Sequence, residues 1–587
     1  MPGEATPTNI SIFGKSVVAY GAVWLLALVV RLVFLWQMHS TDVFNLLIGD
    51  GVRYDAWAQS IAGGDWLGQG VFYQAPLYPY FMGLIYTVAG KNLLVLRLVQ
   101  AVIGATSCVL LARAGAGFFS RKVGLLAGVL LALYPTAIFL DYAVQKSVLD
   151  LFFLCGLLAV LARIHEQPVG LWWIVGGVML GLFALTRENA LVLLPVILLW
   201  PFLNWRSDTL GTRLRWAGGV ALGMCVVMLP VALRNQFVGG EFHLTTSQFG
   251  PNFYIGNSRY ANGVYKPLIW GRASVKYEQD DARELAEQAV GRKLTPGEVS
   301  QYWTRAAFAD IRQEPVRWMH LLARKCYLTW NISEISDTDD QYTYGEWSLM
   351  LRSLTRILNF GTICPLAVLG ICLTWPQRRK LWLLHGLLLS YAASVVMFYV
   401  FARYRFPLVP LLLLFGAAGI LSLRSAYQAG RIREIVFALT LAAVTGVVCC
   451  QPVVREEDTR GTTHYNIAAD LLNQHGDEPA AFRHCAEAVR LSPSLAPAHH
   501  LLAMLLLKQD RTAEAVEQEQ EAVKLRPDYA EAHFTLGGAL LSLNRLDEAI
   551  THLRAAWQLS PGTEKYQTKL GEAERLKSQG DTATPRQ

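Results

Sequence analysis

The run SVVAYGAVWLLALVVRLVFLWQ, residues 16–37, and the segment that follows it, MHSTDVFNLLIGDGVRYDAWA, 38–58, decide the fold. The first is long enough to cross a bilayer core as a helix, which takes about 20 predominantly apolar residues. The second is polar, and it sets Asp50, Arg53, Tyr54, Asp55 and Trp57 at the edge of that membrane. The leading stretch MPGEATPTNISIFGK is too polar for a secretory signal, so the first run is expected to stay as an anchor.

Working outward, similar apolar runs fall near 92–117, 122–140, 146–164, 170–185, 189–203, 215–233, 353–375, 381–402, 406–424 and 434–452. About eleven spans are therefore expected, the shorter ones resting on less sequence. PLYPYFMGLIYTVAG, 76–90, is shorter still and reads as a re-entrant or interfacial helix. The chain is 53% hydrophobic and 17% charged, and its net charge of +7 sits in short loop blocks rather than in a nucleic-acid patch. Those blocks, SRK (120–122), RIHE (163–166), NWRSDTLGTRLR (204–215), PQRRK (376–380) and RSAYQAGRIR (424–433), alternate along the chain. With eleven spans they share one side, which the positive-inside rule makes cytoplasmic. The first loop (38–91), the long loop (234–350) and the C-terminal region then lie outside. Nine cysteines form neither a CxxC pair nor a metal-ligand spacing.

The C-terminal region is built on a different pattern. Pro493, Pro527 and Pro561 recur every 34 residues, as do Ala481, Ala515 and Ala549, and Ala488, Ala522 and Ala556. Small residues at helix contacts and proline at the turn, with this period, are the signature of tetratricopeptide repeats. Three units and a last helix near 565–578 would stack into a short α-solenoid, which offers a face to a partner or serves only as packing.

Four exterior stretches carry candidate chemistry. Asp50 and Tyr54 share a face of a two-turn helix, with an interfacial helix capped by Asp50 as the plain alternative. Lys146 opens a span, where it can snorkel or hold an anion. Arg187 in LTREN (185–189), with Arg403 and Arg405 in RYRFP (403–407), places guanidinium groups on the side of the membrane that is usually poor in them. A phosphate suits their forked donors; pairing with Asp50, Asp55 or Asp141 is the alternative. In the long loop, GNSRYANGVY is turn-rich. Farther on, TPGE (295–298) reads as a helix start, with Thr295 as cap and Glu298 closing a capping box.

Together these pieces resemble the GT-C superfamily of polytopic glycosyltransferases, in the protein mannosyltransferase and aminoarabinose transferase branch that carries C-terminal tetratricopeptide repeats. The resemblance covers about 16–452 and rests on the order of GDGVRYDAWA, PLYP (76–79), RLVQAVIGA (97–105), LYPTAIF, GLFALTREN (181–189), VALRNQFVGGEF, GPNFYIGNSRYANGVY and RYRFPLVPLLLL (403–414). It implies an all-α polytopic fold, an exterior mixed loop domain and an exterior solenoid. It also implies transfer of a sugar from a polyprenyl-phosphate donor to an exterior protein, lipid or glycan acceptor, with inversion, in a bacterial inner membrane with the N-terminus inside.

By the same resemblance Asp50 is the catalytic carboxylate. Arg187, Arg403, Arg405 and Lys146 are candidates for the donor phosphate, and Tyr54, Asp55, Asn257 and Tyr265 for the remaining substrate contacts. Relatives place an acidic-basic pair where Gln74 and Ala75 stand, and an acid where Lys146 stands. A divalent metal is thereby weakened, and no metal or cofactor is expected with certainty. The expected layout is a transferase module over 1–453, a linker at 454–461, repeats over 462–578 and a disordered tail at 579–587. The rival readings are a lipid or glycan transporter or flippase, and a non-catalytic anchor for the repeat scaffold. The spans show no inverted repeat, and their central portions are nearly free of charge, with Arg31, Arg97 and Arg113 as exceptions close to ends or faces, which weighs against transport.

Overall fold

The computed structural model describes residues 8–269 and 275–583. Among these residues the secondary structure is helical throughout, with no strand. The long loop, expected to be an exterior mixed domain, is instead built from short helices: Phe249–Asn257, Val275–Val290, Pro296–Gln313, Pro315–Trp330 and Gln341–Trp347. The capping box at Thr295 and Glu298 is present and opens the third of these.

The chain forms two compact units. The first comprises Met1–Thr41, Gly49–Asp337 and Tyr344–Val453. Among its described residues, seven helices are long and apolar enough to cross a membrane, and up to nine if each of two bent pairs is one span. The bent pairs are Arg121–Ala132 with Pro135–Tyr142, and Leu349–Ile357 with Phe360–Leu373. The segments 170–186 and 188–204, expected as the remaining two spans, are shorter apolar helices. Length and composition therefore carry seven to nine crossings rather than eleven. Leu77–Ala89 is also a short apolar helix.

With lipid around them, such helices gain little from burying apolar surface and associate by close packing. Helices Gly170–Thr186 and Leu210–Gly239 show this. A Cβ on Gly177 would stand 2.1 Å from the Val220 carbonyl oxygen, and one on Gly223 equally close to that of Ile174. The two backbones touch because both contact positions lack a side chain. A charged pair is packed in the same manner: Arg31 Nε donates to Asp141 Oδ2 at 2.6 Å, and both side chains are almost fully buried. Gly104 lies against them, leaving no room for a methyl group. Asp141, a possible substitute acid on sequence grounds, is thus committed to Arg31.

The second unit comprises the residues from Val454 onward together with Asp42–Ile48 and Thr338–Thr343. It stacks the helix pairs Glu456–His475 with Glu478–Leu491, Ala496–Lys508 with Thr512–Leu525, and Ala530–Ser542 with Leu546–Leu559, followed by Glu564–Ala583. The expected linker is corrected: the first repeat helix begins at Glu456, so most of 454–461 is helical. The last helix continues to Ala583, through part of the expected tail; residues 584–587 lie outside the described residues. All six alanines that mark the period are fully buried. Gly476, Asp510 and Asn544 adopt left-handed φ of 65°, 58° and 59° at equivalent turns. Glycine, aspartate and asparagine are the residues that tolerate this conformation best. The segments 42–48 and 338–343 are held by side chains of the first repeat: Gln474 Oε1 accepts from the Leu47 amide at 3.3 Å, and Asn466 Nδ2 donates to the Thr338 carbonyl at 2.7 Å.

Candidate active site

Five separate parts of the first unit meet around Asp50. The aspartate opens the helix Asp50–Ala62 and is 3% exposed. Gln74, in the loop before the PLYP helix, donates through Nε2 to Asp50 Oδ1 at 2.9 Å. Arg403, in the one-turn helix Ala402–Arg405, donates to Asp50 Oδ2 and also pairs with Asp337. Gln145 Oε1 accepts from the same guanidinium at 3.2 Å. Lys146 follows Gln145 and is buried. Its ammonium makes no hydrogen bond or ion pair with a described residue, although it lies within the fields of Asp50, Glu188, Asp150, Arg187 and Arg403.

The charges explain the protonation pattern. Burial alone would raise the Asp50 carboxyl. The charge and hydrogen bond of Arg403, the Gln74 amide and the Lys146 charge outweigh it and hold the group below the ordinary carboxylate range. Asp337 goes the other way: burial and the nearby Asp50 charge raise it, in spite of Arg403. One arginine thus serves two carboxylates of unlike basicity, Asp50 buried and Asp337 half-buried.

Arg187 extends from between two short apolar helices and is held by Asp150, its Nη2 2.6 Å from Asp150 Oδ2. Its guanidinium also lies over the Tyr404 ring, 5.1 Å from the centroid, while Arg403 lies 5.4 Å from the same ring. Tyr404 is therefore the shared wall between the two arginines. It belongs to an aromatic cluster with Tyr265, Tyr399 and Phe401, whose ring centroids are about 5–6 Å apart, a spacing that suits edge-on contacts.

Among the described residues, Tyr54 Oη, Gln74 Oε1 and Arg403 Nε around Asp50 are buried polar atoms with no hydrogen-bond partner. Buried polar atoms are nearly always paired, so three beside one another mark a place where a ligand's polar groups fit. Asp50, Tyr54, Lys146, Arg187 and Arg403 are brought into one group, and Tyr265 reaches its edge.

Three sequence candidates are placed elsewhere. Asp55 accepts from Tyr86 Oη at 2.8 Å, from Gln59 Nε2 at 2.7 Å and from Lys91 Nζ at 2.8 Å, so its oxygens are committed to holding helix Asp50–Ala62 on Leu77–Ala89. Asn257 donates to the Phe253 and Met397 carbonyls and accepts from Trp318 and Lys325, all within 3.1 Å. Its amide is fully used, and it ties the long loop to the end of a span. Arg405 is completely buried and donates to the carbonyls of Leu328, Asn331 and Ser333, pairs with Glu334 at 2.8 Å and lies 3.8 Å over the Phe360 ring. Those partners hold it apart from the group around Asp50: it clamps the return of the long loop instead.

Four polar members escaped sequence reasoning. Asp150 stands four residues after Lys146 inside an apolar run, a position where an acid is costly and therefore informative. Gln145 adjoins Lys146 but carries no charge to draw notice. Asp337 lies in the acidic end of NISEISDTDD, which reads as a solvated loop. Glu278 lies in a polar helix with no distinguishing neighbour. Among the described residues, no set of three His, Cys, Asp or Glu side chains converges as a metal-ligand group.

Residues 73–232 match the family described as dolichyl-phosphate-mannose-protein mannosyltransferase, and residues 500–563 match a tetratricopeptide repeat family. The chain thus carries a segment similar to that mannosyltransferase family ahead of a segment similar to tetratricopeptide repeats. A search of curated proteins finds no match. The chain is similar in structure to the oligosaccharyltransferase of Archaeoglobus fulgidus. In the apo form the TM-score is 0.41 at 13% identity, over 89% of this chain and 72% of that one. For the archaeal oligosaccharyltransferase AglB in complex with an inhibitory peptide and a dolichol-phosphate it is 0.43 at 13% identity, over 81% and 60%. The repeats are similar to the first TPR of Spaghetti (RPAP3) bound to an HSP90 peptide, at 17% identity and a TM-score of 0.20, over 21% of this chain and 95% of that one.

Proposed function

We propose that the chain is a GT-C glycosyltransferase that takes a sugar from a polyprenyl-phosphate carrier and transfers it, with inversion, to a hydroxyl-bearing acceptor on the exterior face of the bacterial cytoplasmic membrane. The observation that carries the reading is the junction at Asp50. An ionised carboxylate there lies beside an arginine with a free Nε–H and a lysine with no anionic partner in contact. A displacement at an anomeric carbon needs both poles. The carboxylate engages the attacking hydroxyl and draws on its proton. The leaving lipid phosphate gains charge as its bond to the sugar breaks, and Lys146, Arg403 and Arg187 meet that charge with fixed cations. Tyr54 and Tyr265 supply a hydroxyl and a ring for the sugar.

A polyprenyl chain approaches from lipid while the acceptor approaches from water, which suits residues drawn both from span ends and from exterior loops. The repeats are proposed to lie on the same exterior side and to present their concave face to a protein acceptor or partner.

The test is a turnover assay. Purified protein in nanodiscs is supplied with a panel of labelled polyprenyl-phosphate sugars and total envelope acceptors. One donor should be consumed, with release of polyprenyl phosphate and label appearing on the acceptor with inverted configuration. Folded protein that consumes no member of the panel contradicts the reading.

A further inference from the structure

The two residues Tyr73 and Gln74 reach two different carboxylates. Gln74 donates to Asp50, as described, and Tyr73 Oη donates to Glu278 Oε1 at 3.0 Å. Glu278 comes from the first turn of Val275–Val290, far from Asp50 in the chain. Its other oxygen faces Tyr265 Oη at 3.5 Å. Arg53 lies over the Tyr73 ring, 5.5 Å from the centroid, and anchors to Gln279 next to Glu278 at 2.9 Å. A second carboxylate is therefore held at the edge of the Asp50 group by two tyrosines.

The two acids differ in what is already bound to them. Both Asp50 oxygens are occupied, one by an amide and one by a guanidinium that also stabilises the ionised form. Among the described residues, Glu278 has only phenol donors and no cation in contact. Such a split gives two carboxylates two tasks. The one held ionised orients and polarises the hydroxyl; the more basic one keeps the proton.

We propose that Glu278 is a second catalytic carboxylate of this site, the one on which the acceptor's proton comes to rest. The proposal builds on the glycosyl-transfer reading above. In the step, the acceptor oxygen forms its bond to the anomeric carbon as that carbon's bond to the phosphate oxygen breaks. The electron pair of the breaking bond leaves with polyprenyl phosphate. The acceptor's O–H proton passes to Glu278, leaving it as a neutral acid that must lose the proton to water before the next turnover.

The surroundings agree. Burial, with the charges of Asp50 and Asp337, raises Glu278 to about 7, against the opposing pull of the Tyr73 hydrogen bond and Arg403. Those groups, together with Tyr265, Tyr399 and Arg53, are the titratable and charged side chains among the described residues that face it from the first loop, the 337 turn, the 265 turn, the approach to the 403 helix and that helix itself. A base of that strength works well near neutral pH. Because the base must be ionised to act, turnover should climb as pH rises through about 7 and level off above it.

The experiment compares wild type, Glu278→Gln, Tyr73→Phe and Asp50→Asn in nanodiscs, with the labelled donor that wild type consumes, between pH 5.5 and 9. Glutamine keeps an oxygen for the tyrosines but is no base. Glu278→Gln should lower kcat roughly 10²–10⁴-fold, the usual span for a general base, with KM nearly unchanged and the limb near neutrality gone. Tyr73→Phe removes a hydrogen bond that favours the ionised acid, so it should move that limb to higher pH. Glu278→Gln with wild-type kcat and an unmoved limb overturns the proposal, as does a Tyr73→Phe limb that stays in place. If Asp50→Asn is inactive while Glu278→Gln turns over normally, Glu278 falls and the Asp50 reading stands. If both turn over normally, the Asp50 reading falls as well.

Discussion

Arg403 and Asp50 stand 353 positions apart in the chain and share a buried hydrogen-bonded ion pair. The contact joins the segment after the first span to the approach of the apolar helix Leu408–Gln428, so the candidate site exists only when the whole membrane module is folded. The same guanidinium binds Asp337, which brings in the return of the long loop as a third strand of chain.

Replacing Arg403 should therefore harm both stability and turnover, and the two can be separated. Arg403→Ala leaves two carboxylates without their shared cation, a loss of about 3–5 kcal/mol if the pair behaves like other broken buried ion pairs. Arg403→Lys keeps one charge but cannot span both acids with a fork of donors. It should melt near wild type in detergent yet turn over roughly 10²-fold more slowly, as measured by labelled-donor consumption.

Lys146→Ala should lower kcat/KM for the labelled donor by about 10–100-fold, the order expected when one charge stabiliser of a leaving group is removed. Its fold should survive, because the ammonium makes no hydrogen bond or ion pair with a described residue that would be broken. Undiminished turnover would remove Lys146 from the carrier-phosphate group.

Arg405, although two residues from Arg403, should behave as a structural residue. Arg405→Ala and Glu334→Ala each orphan a buried partner and should cost about 3–5 kcal/mol, seen as a lower unfolding temperature in detergent. Molecules that remain folded should keep their turnover per active site. A selective loss of turnover at unchanged stability would return Arg405 to the reactive group.

Topology offers a separate check. A reporter fused after Pro452 should show alkaline phosphatase activity, because the basic loops 120–122, 163–166, 204–215, 376–380 and 424–433 favour the cytoplasmic side. A reporter active only in the cytoplasm would place the repeats inside and require an even number of crossings.

The helical membrane module was legible in the sequence because apolar length is a local property, and so was the solenoid, because a 34-residue period survives in Ala481, Ala515 and Ala549. The capping box at Thr295 was legible for the same local reason. Crossing number was not, since bends at 132–135 and 357–360 and the short helices 170–186 and 188–204 depend on tertiary packing. In the candidate site, Asp50, Arg187, Arg403 and Lys146 stood out because charges at a membrane edge are costly and few. Arg405 and Asn257 were misleading for that reason: both are polar residues near the membrane, but their donors are consumed by backbone carbonyls that the sequence does not display. Asp337 and Glu278 were invisible because acids in polar loops are common, and only folding shows which of them are drawn inward.

The most direct test of the central claim is turnover of Asp50→Asn, with Asp50→Glu beside it, using the labelled polyprenyl-phosphate sugar that wild type consumes. Asparagine preserves the size of the side chain and an acceptor oxygen for Gln74, so the folded protein should be obtained. The account predicts that its turnover falls at least about 10²-fold, and that Asp50→Glu retains part of the activity. Folded Asp50→Asn that transfers sugar at the wild-type rate would contradict it.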